Sequence, residues 1–481
     1  MSIANEKQVG NAENHREKKG VNVSAMTPQL AATIAEFRKY LDLPDPGPLL
    51  VALATVAANR IDGDAIWVLE VGPPSSGKSE ILGSLTALSD VHPVGQVTEA
   101  GLLSGSSTKD VEPGASGGLL MKIGIGGRGV ICFKDFGSTL SLNREGRRSV
   151  LAAFREIVDG DWTRVLGTDG GRIYRWHGKA GAIGAVTEEI ERHSSVMATM
   201  GERFLLYRMP RLDDDERETR IEKAMEHGPN VEQMRNDLRS AVYTLFKDGL
   251  QETESAYPEQ NRIPIDLAMV VTSWRSSVIR DGSKRNIEVV PQTENPARIA
   301  KNFQQLQRGF RAIGLSEDEA GKRLVGVGLD CIPLVRGNIL RMLIEGPQST
   351  SDISERLVGY SRTTVDRHLA EVRAHRGVEV KTLERDQQPR WILPNRIAER
   401  LARLGIGRDS DLADSSGRST NSTGAGIPDH SRSEKSETAS YSRFDGGSSG
   451  TGKTEGPIPE KSEDRERESE KSQPPVNRIR D

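Results

Sequence analysis

Aromatic residues are scarce in this sequence: Phe, Trp and Tyr make up 4% of its 481 residues, and all hydrophobic residues together make up 35%. Both fractions are low for one packed unit of this length, so we expect part of the chain to be disordered. Cysteine is rarer still. Its two copies, Cys132 and Cys331, are far apart and lie in apolar runs, which predicts buried thiols and argues against a disulfide or a zinc pair.

A strong net charge and long apolar runs are also missing. The formal net charge is −3, so the chain as a whole does not attract polyanions, and any nucleic-acid surface must be local. No apolar run approaches the roughly 18 residues of a membrane span, and no signal-peptide pattern is present. These absences predict a soluble, cytoplasmic protein without a membrane partner.

The most specific pattern lies between a largely apolar run at residues 66–71 and an amphipathic helical pattern with Ile81, Leu82 and Leu85 on one face. A strand, a glycine-rich loop and a helix in this order are the context that the phosphate-binding P-loop requires. The loop matches G-x-x-x-x-G-K-S with Gly72, Pro73, Pro74, Ser75, Ser76, Gly77, Lys78 and Ser79. A chance match is the alternative, and the flanking strand and helix argue against it.

The chemistry of a P-loop explains these residue types. Glycine lets backbone N–H groups approach phosphate oxygens closely, and the N-terminus of the following helix adds partial positive charge. Lys78 is expected to reach the β- and γ-phosphates, and Ser79 to bind Mg²⁺. A second match at residues 447–454 lacks both strand and helix and lies in a polar tail, so we interpret it as accidental.

Further elements follow the P-loop in order. Residues 129–135 predict a buried strand that ends in Asp135, which is typical of a Walker B motif whose aspartate holds Mg²⁺ through water; an ordinary strand with a terminal aspartate is the alternative. After a predicted helix at residues 143–158, two β-type runs around a Gly/Asp turn predict a hairpin. An apolar strand that ends at Thr187 comes next. The hairpin carries Arg164, Arg172 and Arg175.

This order of elements resembles AAA+ ATPases that carry a hairpin before sensor 1, such as minichromosome-maintenance helicases, magnesium-chelatase subunits and enhancer-binding activators. The resemblance covers about residues 49–330 and implies ATP and Mg²⁺ as cofactors and assembly into a ring. It also implies that Thr187 is sensor 1, that Arg203 is an arginine finger supplied to the neighbouring subunit, and that Arg298 is the sensor 2 arginine.

One position departs from that family, whose Walker B aspartate is usually followed by a glutamate that polarises the attacking water. Here the aspartate is followed by Phe136. Glu99, expected at the end of a strand over residues 94–98, is one candidate for the missing carboxylate. Glu188 and Glu189, just past sensor 1, are the others, and slow hydrolysis is the alternative.

Residues 337–394 predict three helices and a two-stranded hairpin, a pattern that resembles a winged helix-turn-helix. The third helix is expected to expose side chains suited to phosphates and base edges in a DNA major groove. These are Arg362, Thr363, Arg367 and Arg373. Asp366 and Glu371 dilute the charge of this helix, and winged helices also bind proteins, so a protein partner is the alternative.

Together these patterns predict an α/β fold, with a P-loop AAA+ parallel-sheet core, an α-helical lid, a C-terminal winged helix-turn-helix and disordered termini. The expected boundaries are 1–26 (disordered), 27–210 (core with an N-terminal helical brace), 211–335 (lid), 336–400 (winged helix) and 401–481 (disordered).

Three functions fit this organisation. The first is a DNA-associated AAA+ ATPase, similar to helicases, of a mobile element or phage, whose hairpin arginines face a central channel. The second is a nucleotide-gated transcriptional regulator with vestigial hydrolysis. The third is a remodeller that acts on another protein. The hairpin favours the first function, and the missing Walker B glutamate favours the second.

Overall fold

A five-stranded parallel sheet is the centre of the structure, a computed structural model that describes residues 25–103, 118–166, 172–193, 203–250, 261–282, 286–382 and 388–407. The strands of this sheet are β1 (Trp67–Val71), β2 (Val91–Val94), β3 (Arg128–Phe133), β6 (Lys179–Val186) and β7 (Phe204–Arg208). They lie in the order β2-β3-β6-β1-β7, and every neighbouring pair is parallel. The predicted α/β class with a parallel sheet is therefore confirmed.

Helices and three antiparallel strand pairs surround this sheet. The helices are α1 (Pro28–Tyr40), α2 (Gly47–Arg60), α3 (Lys78–Ser84), α4 (Glu99–Leu102), α5 (Leu119–Ile123), α6 (Gly137–Leu140), α7 (Arg144–Val158), α8 (Asp214–His227), α9 (Val231–Phe246), α10 (Ile263–Arg275), α11 (Ala297–Ala312), α12 (Glu317–Asp330), α13 (Leu334–Glu345), α14 (Thr350–Arg356), α15 (Arg362–Ala374) and α16 (Asn395–Arg403). The pairs are β4 (Asp161–Leu166) with β5 (Arg172–His177), β8 (Ile279–Arg280) with β9 (Ile287–Val289), and β10 (Glu379–Thr382) with β11 (Pro389–Ile392).

The second strand differs from its prediction. It spans Val91–Val94 and not residues 94–98, because Thr98 is a helix N-cap whose side chain accepts a hydrogen bond from the N–H of Gly101 at 3.1 Å. Glu99 is therefore the first residue of α4, where the helix dipole favours a carboxylate. The prediction that Glu99 ends a strand is wrong.

The side chains of β1 alternate between two hydrophobic cores, one on each face of the sheet. Val68 belongs to the core that α2, α3 and α11 cover, whereas Trp67, Leu69 and Val71 belong to the core that α7 covers. Five aromatic residues of this second core contact one another, and each edge-to-face or tilted pair adds about 0.5–1.5 kcal/mol beyond simple burial. They are Trp67, Phe133, Phe136, Phe154 and Phe204, with ring centroids 5.0–6.4 Å apart.

Helix α11, in the predicted lid, packs directly on α2, in the predicted core domain. A Cβ on Gly309 would lie 2.2 Å from the carbonyl oxygen of Ala54, so only glycine allows this close approach. One hydrophobic core includes residues from both predicted domains. The described chain therefore shows no break in packing at the predicted boundary after residue 210.

Residues 334–392 form three helices and then the pair β10–β11, in the order that the sequence predicts. The pair β8–β9 is not predicted by the sequence.

The two cysteines are free and buried, as expected. Among the helices that the structure describes, none is both long enough and apolar enough to cross a membrane.

Helix α16 extends beyond residue 400, where the sequence predicts that the disordered tail begins. Ile397 and Leu401 are buried on one face of this helix, and two arginines on the helix bind a buried aspartate of α10. Asp266 is 1% exposed and accepts hydrogen bonds from Arg400 (2.5 Å) and Arg403 (2.8 Å). This anchor keeps residues up to 407 in the folded unit. The rest of the predicted tail, from residue 408, and residues 1–24 lie outside the described residues.

Asp266→Asn should lower the free energy of unfolding by about 1–2 kcal/mol at pH 7, because two arginines lose a charge-assisted hydrogen-bond partner. Hydrogen bonds from Arg403 hold the pKa of Asp266 below its usual 3.8. A lowered carboxyl pKa stabilises the fold above the unfolded value, and this contribution is lost as the pH falls through the folded value. Urea unfolding from pH 7 to pH 3 should therefore show a difference that shrinks below about pH 4.

Asp318→Asn is the matched control, since Asp318 is 79% exposed and pairs with Lys322 at 2.6 Å. This variant should unfold like the wild type. Equal losses of stability in the two variants would contradict the anchoring role of Asp266.

Candidate functional site

The carboxyl ends of β1, β3 and β6 meet at one edge of the parallel sheet, and a cavity of about 500 Å³ opens there. Thr187, directly after β6, and Asp135, two residues after β3, both line this cavity. Further lining residues come from α8, α9 and the end of α1. The P-loop pattern contributes Pro74, Ser75, Ser76, Gly77, Lys78 and Ser79. The structure therefore brings together the predicted P-loop, Walker B and sensor 1 residues.

Two residues of the loop have left-handed backbone conformations. They are Ser75 (φ +62°) and Gly77 (φ +87°), and such residues occur in the backbone nests that bind anions. At Gly72 a Cβ would lie 2.5 Å from Cγ of Met209. Glycine at 72 allows the chain to pass Met209, and glycine at 77 allows the turn into α3.

Lys78 points back into the loop. Its Nζ donates hydrogen bonds to the carbonyl oxygens of Gly72 (2.8 Å) and Pro73 (2.7 Å) and to Oγ of Ser76 (2.8 Å). Burial lowers the pKa of Lys78, and the acidic side chains of Glu70 and Asp135 offset part of this shift. The lysine therefore adds a cation with fixed hydrogen-bond partners to the cavity.

Ser79 and Asp135 bring a hydroxyl and a carboxylate to the same cavity. Oδ1 of Asp135 accepts a hydrogen bond from the N–H of Gly137 at 2.9 Å, which orients the carboxylate. Mg²⁺ prefers oxygen ligands and retains several waters, so one carboxylate and one hydroxyl are a donor set that fits this ion.

Three basic residues of α8 line the cavity and are missed by the sequence analysis: Arg220, Lys223 and His227. Arg220 donates to the carbonyl oxygens of Asp42 (3.0 Å) and Ser76 (3.3 Å). Lys223 and His227 bind carbonyl groups at the end of α1. Their spacing, which places all three on one face of a helix, is the sequence signal that identifies them.

Glu70 is a fourth missed residue. It lies in β1, is fully buried, and neither of its carboxyl oxygens has a hydrogen-bond partner among the residues that the structure describes. Burial raises the pKa of Glu70 to about 8, although the nearby Lys78 opposes this shift. The signal in the sequence is a single acidic residue within an otherwise apolar run.

None of the three glutamates predicted to replace the Walker B glutamate lines this cavity. Glu99 binds the Ser149 hydroxyl and Nε of Arg164, the latter at 3.1 Å. Glu188 lines a separate cavity of about 30 Å³, and Glu189 forms an exposed ion pair. Within the described ranges, the carboxylates that line the P-loop cavity are Asp42, Glu80 and Asp135.

Arg203 and Arg298 lie together at the opposite edge of the sheet. Arg203 precedes β7 and therefore stands at its amino end, about 16 Å from the carboxyl edge for a strand of this length. A cavity of about 460 Å³ at this edge is lined by both arginines and by Lys301. Asp159 lies 2.6 Å from Arg203 and 4.0 Å from Arg298. The strand polarity separates the predicted arginine finger and sensor 2 from the P-loop of the same chain.

The hairpin arginines differ in their surroundings. Arg164 faces the body of the protein, where it binds Glu99 and donates to the carbonyl oxygen of Leu103 at 2.6 Å. Arg175 is exposed on the other face of the hairpin. The structure therefore does not place Arg164 on the exposed face of the hairpin with Arg175. The side chain of Arg172 lies outside the described residues.

On α15 the predicted DNA-contacting residues Arg362, Thr363 and Arg373 are exposed, and Arg367 is partly buried. Glu371 is buried and does not dilute the exposed charge of this helix. Burial opposes its ionisation, but hydrogen bonds and ion pairs with His368, Arg336 and Arg280 lower the pKa of Glu371 to about 2. The expectation that Glu371 weakens the basic surface is wrong, because this carboxylate joins α15 to α13 and β8.

The chain matches no model of a protein family, and no curated protein matches its sequence significantly. Its functional interpretation therefore depends on the residues and the geometry of these two cavities.

Gly77→Ala should destabilise the protein by about 1–2 kcal/mol, because alanine in the left-handed region brings Cβ close to the following carbonyl oxygen. Gly83→Ala, inside the helix α3 that Gly77 precedes, is the matched control. Apart from the adjacent residues and the helix backbone, no atom of the described chain lies within 4 Å of a Cβ built on Gly83, so this variant should be as stable as the wild type or up to about 1 kcal/mol more stable. Chemical unfolding measures both variants, and a Gly77 variant that matches the Gly83 variant would contradict the described loop conformation.

Proposed function

We propose that this protein is an AAA+ ATPase that associates with DNA and resembles helicases or remodellers in its activity. The observation that carries the proposal is the cavity in which the P-loop, Asp135 and Thr187 meet. In open parallel α/β sheets, the carboxyl edge of the strands is where ligands bind. The cavity volume of about 500 Å³ lies within the range of small-molecule sites.

ATP with Mg²⁺ fits the residues of this cavity. The loop N–H groups and Lys78 would bind the phosphate oxygens, while Ser79 and Asp135 would hold the metal. When bound, Mg²⁺ neutralises charge on the phosphates and orients them for attack by water. Thr187 would hold a water or phosphate oxygen from the end of β6. Arg220, whose donors reach the carbonyl oxygen of Ser76, would add positive charge next to the loop.

The rest of the cavity suits a nucleoside. The rings of Tyr40 and His227 meet edge to face with centroids 5.0 Å apart. Leu41, Leu43, Val231 and Met234 add apolar surface. This lining favours a nucleotide over inorganic phosphate, because an apolar wall next to the P-loop can cover a base and sugar.

The positions of Arg203 and Arg298 support assembly into a ring. An arginine at the amino edge of the sheet cannot serve the P-loop of its own chain, but it can serve the P-loop of a neighbour that packs head to tail. Such heterologous contacts close into rings when the rotation between subunits allows it.

The exposed basic residues of α15 support contact with DNA, with Arg362, Thr363 and Arg373 facing the major groove.

A nucleotide-gated DNA-binding transcriptional regulator is the second candidate. The position of the Walker B glutamate is taken by Phe136, which is buried in the aromatic core. Of the carboxylates that line the cavity besides Asp135, Glu80 forms an ion pair with Arg235 at 2.7 Å. These two observations favour slow or vestigial hydrolysis.

Lys78→Ala should abolish ATP binding, because it removes the cation from the loop. The control is Lys453→Ala, in the second match to the P-loop pattern, which should bind ATP like the wild type. Fluorescent-nucleotide titration of both variants measures the effect. ATP affinity near that of the wild type in Lys78→Ala would refute the P-loop assignment, and loss of binding in Lys453→Ala would reassign the site to the tail.

Arg203→Ala should bind ATP normally but hydrolyse it on the order of 10³-fold more slowly, because an arginine finger from a neighbour stabilises the transition state. Mixing Arg203→Ala with Lys78→Ala subunits should restore part of the activity, since a mixed ring contains sites with an intact P-loop and an intact neighbouring arginine. ATPase rates across mixing ratios, together with mass measurement of the assembly, test this. No recovery at any ratio would argue for a monomeric enzyme.

Duplex DNA should raise the ATPase rate if the protein is a motor, whereas a regulator should bind duplex DNA without stimulation. In either case, replacing Arg362 and Arg373 with alanine should reduce the slope of log affinity against log salt by about 0.9 for each DNA phosphate that the protein no longer neutralises. Affinity measured across a salt series, with Arg192→Ala as the exposed control, tests the role of the two arginines. An unchanged slope would remove α15 as the DNA-binding element.

A further inference from the structure

Glu70 has an unusual environment for an acidic residue. It is 0% exposed and lies in β1 two residues before Gly72, the first residue of the P-loop. Its neighbours in the parallel register are Ala185 on β6 and Tyr207 on β7. Because side chains alternate along a strand, Glu70 lies on the same face as Val68, the face that α3 covers. Ala185 also lines the P-loop cavity, so Glu70 lies directly beside that cavity.

Stability of the strand does not explain this residue. Neither oxygen of Glu70 has a hydrogen-bond partner within the described chain, and an unpartnered buried carboxyl disfavours folding. An apolar residue such as the Val at position 68 would serve the strand better. A buried, unpartnered acid next to a site is the kind of group that function retains.

The charged and titratable groups that face Glu70 come from three elements. Lys78 faces it from the start of α3, Tyr207 from β7 and Cys132 from β3. Burial raises the pKa of Tyr207 well above 10 and that of Cys132 to about 12, so both groups stay neutral. Of these three groups, only Lys78 carries a charge. Asp135 faces the same lysine from the cavity.

We propose that Glu70 is a positioning residue for Lys78 and couples nucleotide binding at the P-loop to the uptake of a proton. This inference rests on the proposed function. As a neutral acid, Glu70 leaves the ammonium of Lys78 available to phosphate oxygens. As a carboxylate, Glu70 attracts the ammonium toward the sheet and repels the phosphates, and both effects are strong because the group is out of contact with water.

The direction of the pH dependence follows from these charges. Phosphates bring negative charge next to Glu70 and so favour its neutral form, which means that binding raises its affinity for a proton. By linkage, protonation of Glu70 strengthens nucleotide binding by the same factor. Burial places the pKa of Glu70 at about 8 in the protein without nucleotide. Nucleotide affinity should therefore be constant below this pH and fall by up to about tenfold per pH unit above it.

The test is the Kd of ADP with Mg²⁺ from pH 6.5 to pH 9.5 for the full-length wild type, Glu70→Gln and Glu70→Met. Glutamine imitates the neutral acid, so at pH 7 Glu70→Gln should bind ADP within about twofold of the wild type. At pH 9.5 the wild type should bind up to about 30-fold more weakly than at pH 7. Both variants should lose less affinity, and their remaining loss comes from Lys78, whose pKa burial also lowers. Tyr207→Phe, which keeps the acid and removes the neighbouring hydroxyl, should retain the wild-type profile.

Calorimetry in buffers with different heats of ionisation gives an independent measurement. At pH 8 the wild type should take up protons when ADP binds, and Glu70→Gln should take up fewer. A purely structural role of Glu70 would change the stability of the variants without changing the pH profile of ADP binding. Glu70→Met provides the same comparison if Glu70→Gln does not fold.

Two outcomes separate this inference from the proposed function. If the wild type binds ADP with an affinity that is constant above pH 8, or if the variants that bind ADP have the wild-type profile, Glu70 does not couple binding to a proton. If the wild type binds no ADP at any pH, the proposed function fails and the inference fails with it.

Discussion

The common direction of the five sheet strands is the constraint on which the functional geometry depends. Because every strand of the sheet runs the same way, the segments that follow β1, β3 and β6 come out at one edge. There they bring Lys78, Asp135 and Thr187 around one cavity. The same polarity places Arg203 at the other edge, beside Arg298. Two cavities with different lining residues therefore lie at opposite edges of the sheet.

Positive charge at the carboxyl edge is held by specific hydrogen bonds. Lys78 is bound to carbonyl oxygens of its own loop, and Arg220 to those of Asp42 and Ser76. These donors are already oriented and lie in a partly buried cavity, so an anion that displaces the carbonyl groups meets cations at short range and in low dielectric. Glu70 is the exception to this pattern, a buried acid in β1 whose oxygens have no hydrogen-bond partner among the described residues.

The helices around the cavity are held in two different ways. Helix α11 packs on α2 through a contact that requires glycine at 309, and both belong to the main hydrophobic core. Helix α8 buries none of its residues and is attached by the polar contacts of Arg220, Lys223 and His227. Elements with few buried apolar contacts open at the lowest free-energy cost. We therefore expect α8 to be easier to displace from the cavity than α11 is from α2.

Local sequence by itself determined the α/β class, the glycine-rich loop between β1 and α3, the pair β4–β5 and the three helices before β10, because each depends on spacing within one short segment. Tertiary structure alone decided which residues meet across the chain. The position of Glu99 is set by the helix cap at Thr98 and by its ion pair with Arg164. The buried environment of Glu70 is set by the pairing of β1 with β7, and the contact of Arg220 with the loop is set by the packing of α8. These contacts join residues far apart in sequence. The spacing of residues such as Arg220 predicts a shared helix face, but it does not say what that face contacts.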